Sequence, residues 1–317
     1  MKKRAVVENT CYSLLLYFLY DRDWKSKDYF IFGNRISSKY INKMREKVSH
    51  FDILESFMFS YKNHSFKFFS EKRKEYLKFK KYTEFYGNVC TNLYLPFRKI
   101  NRFEIEDGLG TYKHLQGNNS LKQSISDFLN LKRGFLKNKV KKYILTMSDD
   151  IPKRYLKDVV EINIHDKWQN LSQPERDDIL DVFCIDIEYL NKLNAKKILI
   201  LTQCFSEDGF ISESEKIAIY ESIVSKYNED DILIKTHPRE KTNYKNIFPN
   251  ISVIDDPFPF ELISLHGIKF RKAVTLTSTS VFSFNYDLDV DYLGTEPFPK
   301  LAEKTYFIKS KFKKNKL

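Results

Sequence analysis

Short apolar runs separated by polar and helical stretches set the plan of the chain. In the second half the pattern is clear. Lys197–Leu201 (KILIL), Ile232–Ile234 and Ala273–Leu276 are short, wholly apolar segments, the mark of strands buried on both faces of a parallel sheet. Between the first two, Ser212 and Glu215 have capping-box spacing, and Ile217, Tyr220, Val224 and Tyr227 recur at helical intervals. Strand, helix and strand joined by short connections predict right-handed βαβ units. The first half reads as a rougher version of the same plan. Its apolar segments are Ala5–Val7, Tyr29–Phe32, Leu93–Leu95 and Phe103–Ile105; a polar region near Leu136–Lys142 followed by Tyr143–Thr146 reads as the approach to a second domain, and Ile151–Arg176 as a connection with one strand at Val159–Ile164. Ser65–Tyr86, dense in Lys, Phe and Tyr, reads as a helix with buried aromatic faces and lysines reaching out to water.

The N-terminus joins Lys2–Arg4 to an apolar run at Cys11–Tyr20, which imitates a signal peptide. Glu8, Asn9 and Thr10 interrupt it, and no small-residue cleavage site follows. The run is also short of the roughly 20 apolar residues needed to span a bilayer. We read strand, turn and buried helix, with Thr10 as the cap.

Composition narrows the class. The 317 residues, 42% hydrophobic with 15% aromatic, supply a real core and fit two ordinary domains. Four cysteines without a CxxC pair exclude a zinc ribbon or a thioredoxin-type site and fit a reducing cytoplasm. The net charge of +12 is compatible with nucleic acid, anionic lipid or a phosphorylated substrate. The basic residues are dispersed and no nucleic-acid-binding module is present, so no nucleic-acid partner is expected.

Open parallel sheets bind ligands beyond the carboxyl ends of their strands. That rule selects Glu106-Asp107-Gly108 after Phe103–Ile105, His237-Pro238-Arg239 after the Ile232 strand, Thr277-Ser278-Thr279-Ser280 after Ala273–Leu276, and Thr202-Gln203 after Leu201. Each has a plainer explanation: a turn, a strand end stiffened by proline, a helix cap. Together, a strand-end histidine and a hydroxyl-rich helix start suit a phosphate. GxxxxGK[ST] and GxGxxG are absent, and the adjacent pairs Asp149-Asp150 and Asp255-Asp256 read as turns rather than a metal–nucleotide site.

Taken in order, these residues resemble a family. Phe103–Gly108 is similar to the acidic motif of bacterial sialyltransferases, Lys235–Arg239 to their His-Pro motif, and Ser278-Thr279 to their paired hydroxyls. Leu201–Gly209 and Pro257–Leu262 resemble glycosyltransferase family 52, which contains lipooligosaccharide and capsular sialyltransferases. Cys204 stands where proline is expected, and Thr236 where proline or glycine often precedes the histidine.

The resemblance implies an α/β protein of the GT-B class, two Rossmann-like domains facing across a cleft. We place an acceptor domain at 1–150, a CMP domain at 151–300 and a basic tail at 301–317. It further implies CMP-sialic acid as donor, inversion at the anomeric carbon, no metal and no cofactor. Asp107 would be the general base. His237 would bind the CMP phosphate and assist its departure, with Ser278 and Thr279 donating to the same phosphate. Glu261 would accept from the cytidine ribose hydroxyls, and Thr202 and Gln203 would line the donor site. The acceptor implied is a glycan ending in galactose; the oligomeric state is left open, and relatives of this kind can be dimers. A GT-B enzyme using another nucleotide sugar is the alternative, and a basic nucleic-acid-binding protein a more distant one.

Residues 300–317 hold seven lysines, Lys300, Lys304, Lys309, Lys311, Lys313, Lys314 and Lys316, against one acid, Glu303. A solvated terminus and a polybasic contact with the anionic inner face of the plasma membrane both fit this run.

Overall fold

The computed structural model describes residues 4–33, 36–48, 51–53, 82–88, 101–108, 111–112, 115, 140–149 and 151–305. The chain divides into two compact units, Met1–Ile185 and Asp186–Leu317.

The first unit is built on a parallel sheet of seven strands. In chain order these are β1 (Arg4–Glu8), β2 (Asp28–Phe32), β3 (Phe51–Ile53), β4 (Glu84–Asn88), β5 (Asn101–Ile105), β6 (Val140–Leu145) and β7 (Val159–Glu161). Their spatial order is β3-β2-β1-β4-β5-β6-β7, so the chain starts in the middle, runs out to one edge, and returns to the other side of β1. The second unit repeats the plan with β8 (Ile198–Leu201), β9 (Ile232–Lys235), β10 (Ser252–Ile254), β11 (Lys272–Thr275) and β12 (Asp289–Tyr292), in the order β10-β9-β8-β11-β12. Every pairing in both sheets is parallel. The fold is α/β with two Rossmann-like units, and each sheet has a switch point where strand order reverses: between β1 and β4, and between β8 and β11.

The hydrophobic pattern explains these elements. Ile198, Leu199, Ile200, Ile232, Leu233 and Ile234 are all buried, as covering a sheet on both faces requires. At the N-terminus the expected strand, turn and buried helix are found: α1 (Cys11–Tyr20) follows β1, and Thr10 caps it by accepting from the Ser13 amide at 3.3 Å. Leu14 through Leu19 are almost wholly buried, and Phe18 lies 6.1 Å from Phe183 between ring centres.

Several expectations need correction. The first unit runs past residue 150, where the sequence places the boundary, because Val159–Glu161 pairs with β6 as the last strand of the first sheet. That strand stops at Glu161, and Asn163 caps a helix beginning at Ile164 by accepting from the His165 and Asp166 amides. Residues 84–86, assigned to a helix from the Lys-Phe-Tyr pattern, are strand: Glu84–Asn88 pairs with both β1 and β5, and a sheet neighbour on each side overrides a helical pattern. The rest of that segment and Leu93–Leu95 lie outside the described residues. In α2 (Glu213–Val224) the buried face is Lys216, Ile219, Tyr220, Ile223 and Val224, so a lysine occupies a core position and Ile217 is only half-buried. The tail lysines Lys309, Lys311, Lys313, Lys314 and Lys316 lie outside the described residues. Among the described residues, no helix is long and apolar enough to cross a membrane.

Candidate active site

At the carboxyl end of β5 the chain places two adjacent acids in different surroundings. Glu106 is buried, and its carboxylate accepts from the Tyr112 hydroxyl (2.7 Å), the Thr146 amide (2.7 Å), the Thr146 hydroxyl (2.7 Å) and the Tyr12 hydroxyl (3.3 Å). Burial pushes its pKa up and those donors pull it back. These bonds tie β5 to β6 and α1, so Glu106 is committed to structure. Asp107 is half-exposed, and its amide donates to the Thr111 hydroxyl at 2.9 Å. Gly108 follows at φ +85°, where a side chain would be strained even though no atom crowds it. The turn therefore separates an anchored acid from a half-exposed one at the carboxyl end of the sheet, which favours Asp107 over Glu106 as a proton acceptor.

Glu8, at the end of β1 beside this sheet's switch point, is fully buried and accepts from the Ser13 hydroxyl. Its other oxygen has no hydrogen-bond partner among the described residues. Burial above all, opposed by the Ser13 bond and reinforced by the charge of Asp107, holds the Glu8 carboxyl well above the ordinary carboxylate range.

In the second unit the candidate residues stand at the carboxyl ends of three neighbouring strands, β9, β8 and β11, with the switch point between the last two. Thr202 and Gln203 leave β8, His237 follows β9, and Ser278 follows β11. The Ser278 amide donates to the Thr275 hydroxyl at 2.9 Å, and that hydroxyl in turn donates to the Leu201 carbonyl at 3.5 Å, joining the two sides of the switch point. Ser278 caps a five-residue 3-10 helix, Thr279–Ser283, accepting weakly from the Ser280 amide at 3.4 Å. Such a short helix has little dipole, so any help to an anion must come from the hydroxyl itself. The side chain of Thr279 lies outside the described residues. Glu261 opens α4 (Glu261–Leu265) beyond the edge strand β10 and is buried.

His237 is half-buried. Burial first, then the neighbouring Arg239 and Lys235 cations, pull its pKa down to about 4. The Arg239 amide donates to its Nδ1 at 3.2 Å, so the proton of the neutral ring belongs on Nε2. Arg239 itself forks onto Asp208 (2.6 and 3.1 Å) and reaches Cys204 Sγ at 2.9 Å. Cys204, in the position where proline was expected, thus helps seat the arginine. Burial pushes its thiol up to about 12, so it stays protonated.

Sequence reasoning missed the pair beneath this loop. Glu240 accepts from the Thr202 hydroxyl, the His237 amide (3.1 Å) and the Tyr244 hydroxyl (2.8 Å), Tyr244 being the first residue of α3 (Tyr244–Ile247). Lys216 of α2, fully buried, lies 3.4 Å from Glu240, 2.9 Å from Glu207 and 3.3 Å from Glu213. Those carboxylates keep Lys216 protonated despite its burial, while burial pushes Glu240 upward against its hydrogen bonds. The available signal was a lysine on the apolar stripe of a helix, which a periodicity argument discards as polar.

A model of glycosyltransferase family 52 matches residues 26–292, which takes in all of these strand ends but Glu8. The chain belongs to glycosyltransferase family 52. As a family 52 protein it is a glycosyltransferase, and it is 38% identical over 210 residues to an uncharacterized protein of Haemophilus influenzae, covering 66% of this chain and 67% of that one. Its fold is similar to that of an alpha/beta-galactoside alpha-2,3-sialyltransferase from the luminous marine bacterium Photobacterium phosphoreum (TM-score 0.62, 10% identity, 96% of this chain and 95% of that one). A 2,6-sialyltransferase of Photobacterium sp. JT-ISH-224, solved with CMP and lactose, matches at TM-score 0.63 and 11% identity over 96% of this chain and 76% of that one. These likenesses place the family 52 chain in the GT-B fold class expected from its sequence.

Proposed function

We propose that this family 52 enzyme is an inverting, metal-independent sialyltransferase that moves sialic acid from CMP-sialic acid to a terminal galactoside of a bacterial surface glycan, lipooligosaccharide or capsule. The observation that carries the reading is in the second sheet: His237, at the carboxyl end of β9, accepts from the Arg239 amide at Nδ1 and so keeps its proton on Nε2, and Ser278 follows β11 at the same end of the sheet. Family membership and the likeness to two sialyltransferases, one holding CMP and lactose, support the choice of donor and acceptor.

In the proposed reaction, Asp107 takes the proton of the acceptor hydroxyl as its oxygen attacks the anomeric carbon of sialic acid. The bond from that carbon to the CMP phosphate oxygen breaks. His237 Nε2–H donates to the phosphate as negative charge grows on it, and Ser278 and Thr279 add hydrogen bonds to the same group. Glu261 accepts from the ribose hydroxyls, and Thr202 and Gln203 line the nucleotide side. One displacement inverts the anomeric centre, and activity persists in EDTA.

CMP should raise the melting temperature more than UDP or GDP at equal concentration, and CMP-sialic acid with a panel of galactosides should give transfer. Stabilisation by UDP or GDP with none by CMP overturns the choice of donor. Ser278→Ala should weaken CMP binding by about 1.5–3 kcal/mol, the loss of one hydrogen bond to a charged group, read by calorimetry. Unchanged affinity removes Ser278 from the phosphate site.

We also propose that the tail lysines hold the enzyme against the anionic inner leaflet, each contributing about 1 kcal/mol near such a surface. Truncation after Tyr306 should weaken sedimentation with anionic vesicles at low salt while leaving transfer to a soluble galactoside largely intact. Equal sedimentation of both forms disproves the anchor.

A further inference from the structure

Glu240 joins more of the second unit's strand ends than any residue assigned a role above. Its side chain is fully buried. One carboxylate oxygen, Oε2, accepts from the Thr202 hydroxyl at the end of β8 and from the His237 amide at the end of β9 (3.1 Å). The other, Oε1, faces inward to the Tyr244 hydroxyl (2.8 Å) and to Lys216 Nζ (3.4 Å). The Glu240 amide donates to the His237 carbonyl at 2.9 Å, closing the loop from the backbone side as well. Glu207 continues the network, accepting from Lys216 (2.9 and 3.0 Å) and from the Lys241 amide (2.6 Å).

Burying a carboxylate is costly, and holding a four-residue turn does not require one, since Asx-type and backbone bonds suffice. What this carboxylate does that a backbone bond cannot is tie two adjacent strand ends to one point, with a buried lysine opposite to balance its charge. Its two outward contacts are Thr202 and His237, both on the nucleotide side of the crevice.

We propose that Glu240 is a positioning residue of the donor site: with Lys216 behind it, it fixes the His237 loop against the end of β8 and so sets the direction in which the imidazole meets the leaving phosphate. This rests on the function proposed above. Glu240 touches neither substrate; it acts through His237 and Thr202.

The test uses the full chain. In Glu240→Ala the turnover number should fall on the order of 10–100-fold, the cost of a misplaced reacting group, and CMP affinity about 10-fold, while the KM for the galactoside stays unchanged. Glu240→Gln, which retains one acceptor oxygen, should recover part of both losses. The decisive readout is the His237 ring, followed by NMR titration without any ligand. The ring is faced by Arg239, Lys235, Asp208 and Glu207, and its depressed pKa comes chiefly from burial, so loosening the loop in Glu240→Ala should move it toward its ordinary value.

Tyr244→Phe supplies the contrast. It removes an equally buried hydrogen bond from Oε1 and leaves the Thr202 and His237 contacts, so it should lower the melting temperature but leave the His237 titration and turnover near wild type. If Glu240→Ala does not fold, Thr202→Val and Glu240→Gln carry the same titration readout. The proposal is overturned if folded Glu240 variants show wild-type His237 titration and CMP affinity, or if Tyr244→Phe shifts both as much as Glu240→Ala. Should the wild type fail to bind CMP while the His237 titration still moves in Glu240→Ala, the donor assignment falls and the positioning role stands.

Discussion

Asp107→Asn is expected to lower the rate of transfer by about 10²–10⁴-fold, the usual contribution of a general base, with CMP affinity close to wild type. The side chain keeps its shape but can no longer take the acceptor's proton. The neighbouring acid provides the control. Glu106 spends its carboxylate on Tyr12, Tyr112 and Thr146, so Glu106→Gln should appear chiefly as lost stability, because it leaves strong buried donors without a charged acceptor. Single-turnover rates and thermal melts of the two variants separate the roles. Full activity in Asp107→Asn, or a rate loss confined to Glu106→Gln, would transfer the base to the other residue.

His237→Ala should reduce both turnover and CMP affinity, unlike Asp107→Asn. A hydrogen bond to a charged phosphate is worth about 1.5–3 kcal/mol, so roughly a tenfold to hundredfold weaker CMP complex is expected, with a larger fall in rate as the leaving group loses its donor. The imidazole carries a second signature. In the ligand-free protein it should titrate at about 4, because burial and the Arg239 and Lys235 cations disfavour its charged form. A bound phosphate brings negative charge to Nε2 and should raise that value. The sign for stability follows from linkage: the folded value lies below the unfolded one, so the unfolded chain binds the proton first. Stability is therefore lost as pH falls from about 6.5 toward about 4. That loss should be smaller in His237→Ala and smaller in the CMP complex. A His237 resonance titrating near 6.5 and indifferent to CMP would remove it from the phosphate site.

How much of this was legible in the sequence depends on how local each signal is. The strands at Ile198–Leu201 and Ile232–Lys235, the buried helix Cys11–Tyr20 with its Thr10 cap, and the capping box at Ser212 are set by burial pattern and caps within a few residues, and they appear as read. Positions of Asp107, His237 and Ser278 at strand ends follow from the same pattern, since the carboxyl end of each apolar run is visible in the chain. Where pattern and pairing disagree, pairing prevails. Glu84–Asn88 lies in a stretch with a helical look, yet it is strand because β1 and β5 offer hydrogen bonds on both sides. The first unit takes in Val159–Glu161 because β6 has an open edge there, a fact about space that no linker composition announces.

The charged interior was invisible for a related reason. Lys216 on an apolar helical stripe looks like a solvent-facing residue, paired with Glu213 one turn before it, until the loops carrying Glu207 and Glu240 are folded over it. The choice between Glu106 and Asp107 is of the same kind: side by side in the chain, they are told apart by Tyr12, Tyr112 and Thr146, which only the sheet brings to one of them. By itself, then, the sequence determined the α/β class, the parallel strands and which polar residues stand at their ends, because backbone periodicity, capping and turn chemistry act over a few neighbours. Tertiary structure alone decided strand order and hence the switch points, the neutral state of His237 and the role of Glu240. Those depend on desolvation and on contacts between residues far apart in the chain, and neither exists until the chain is folded.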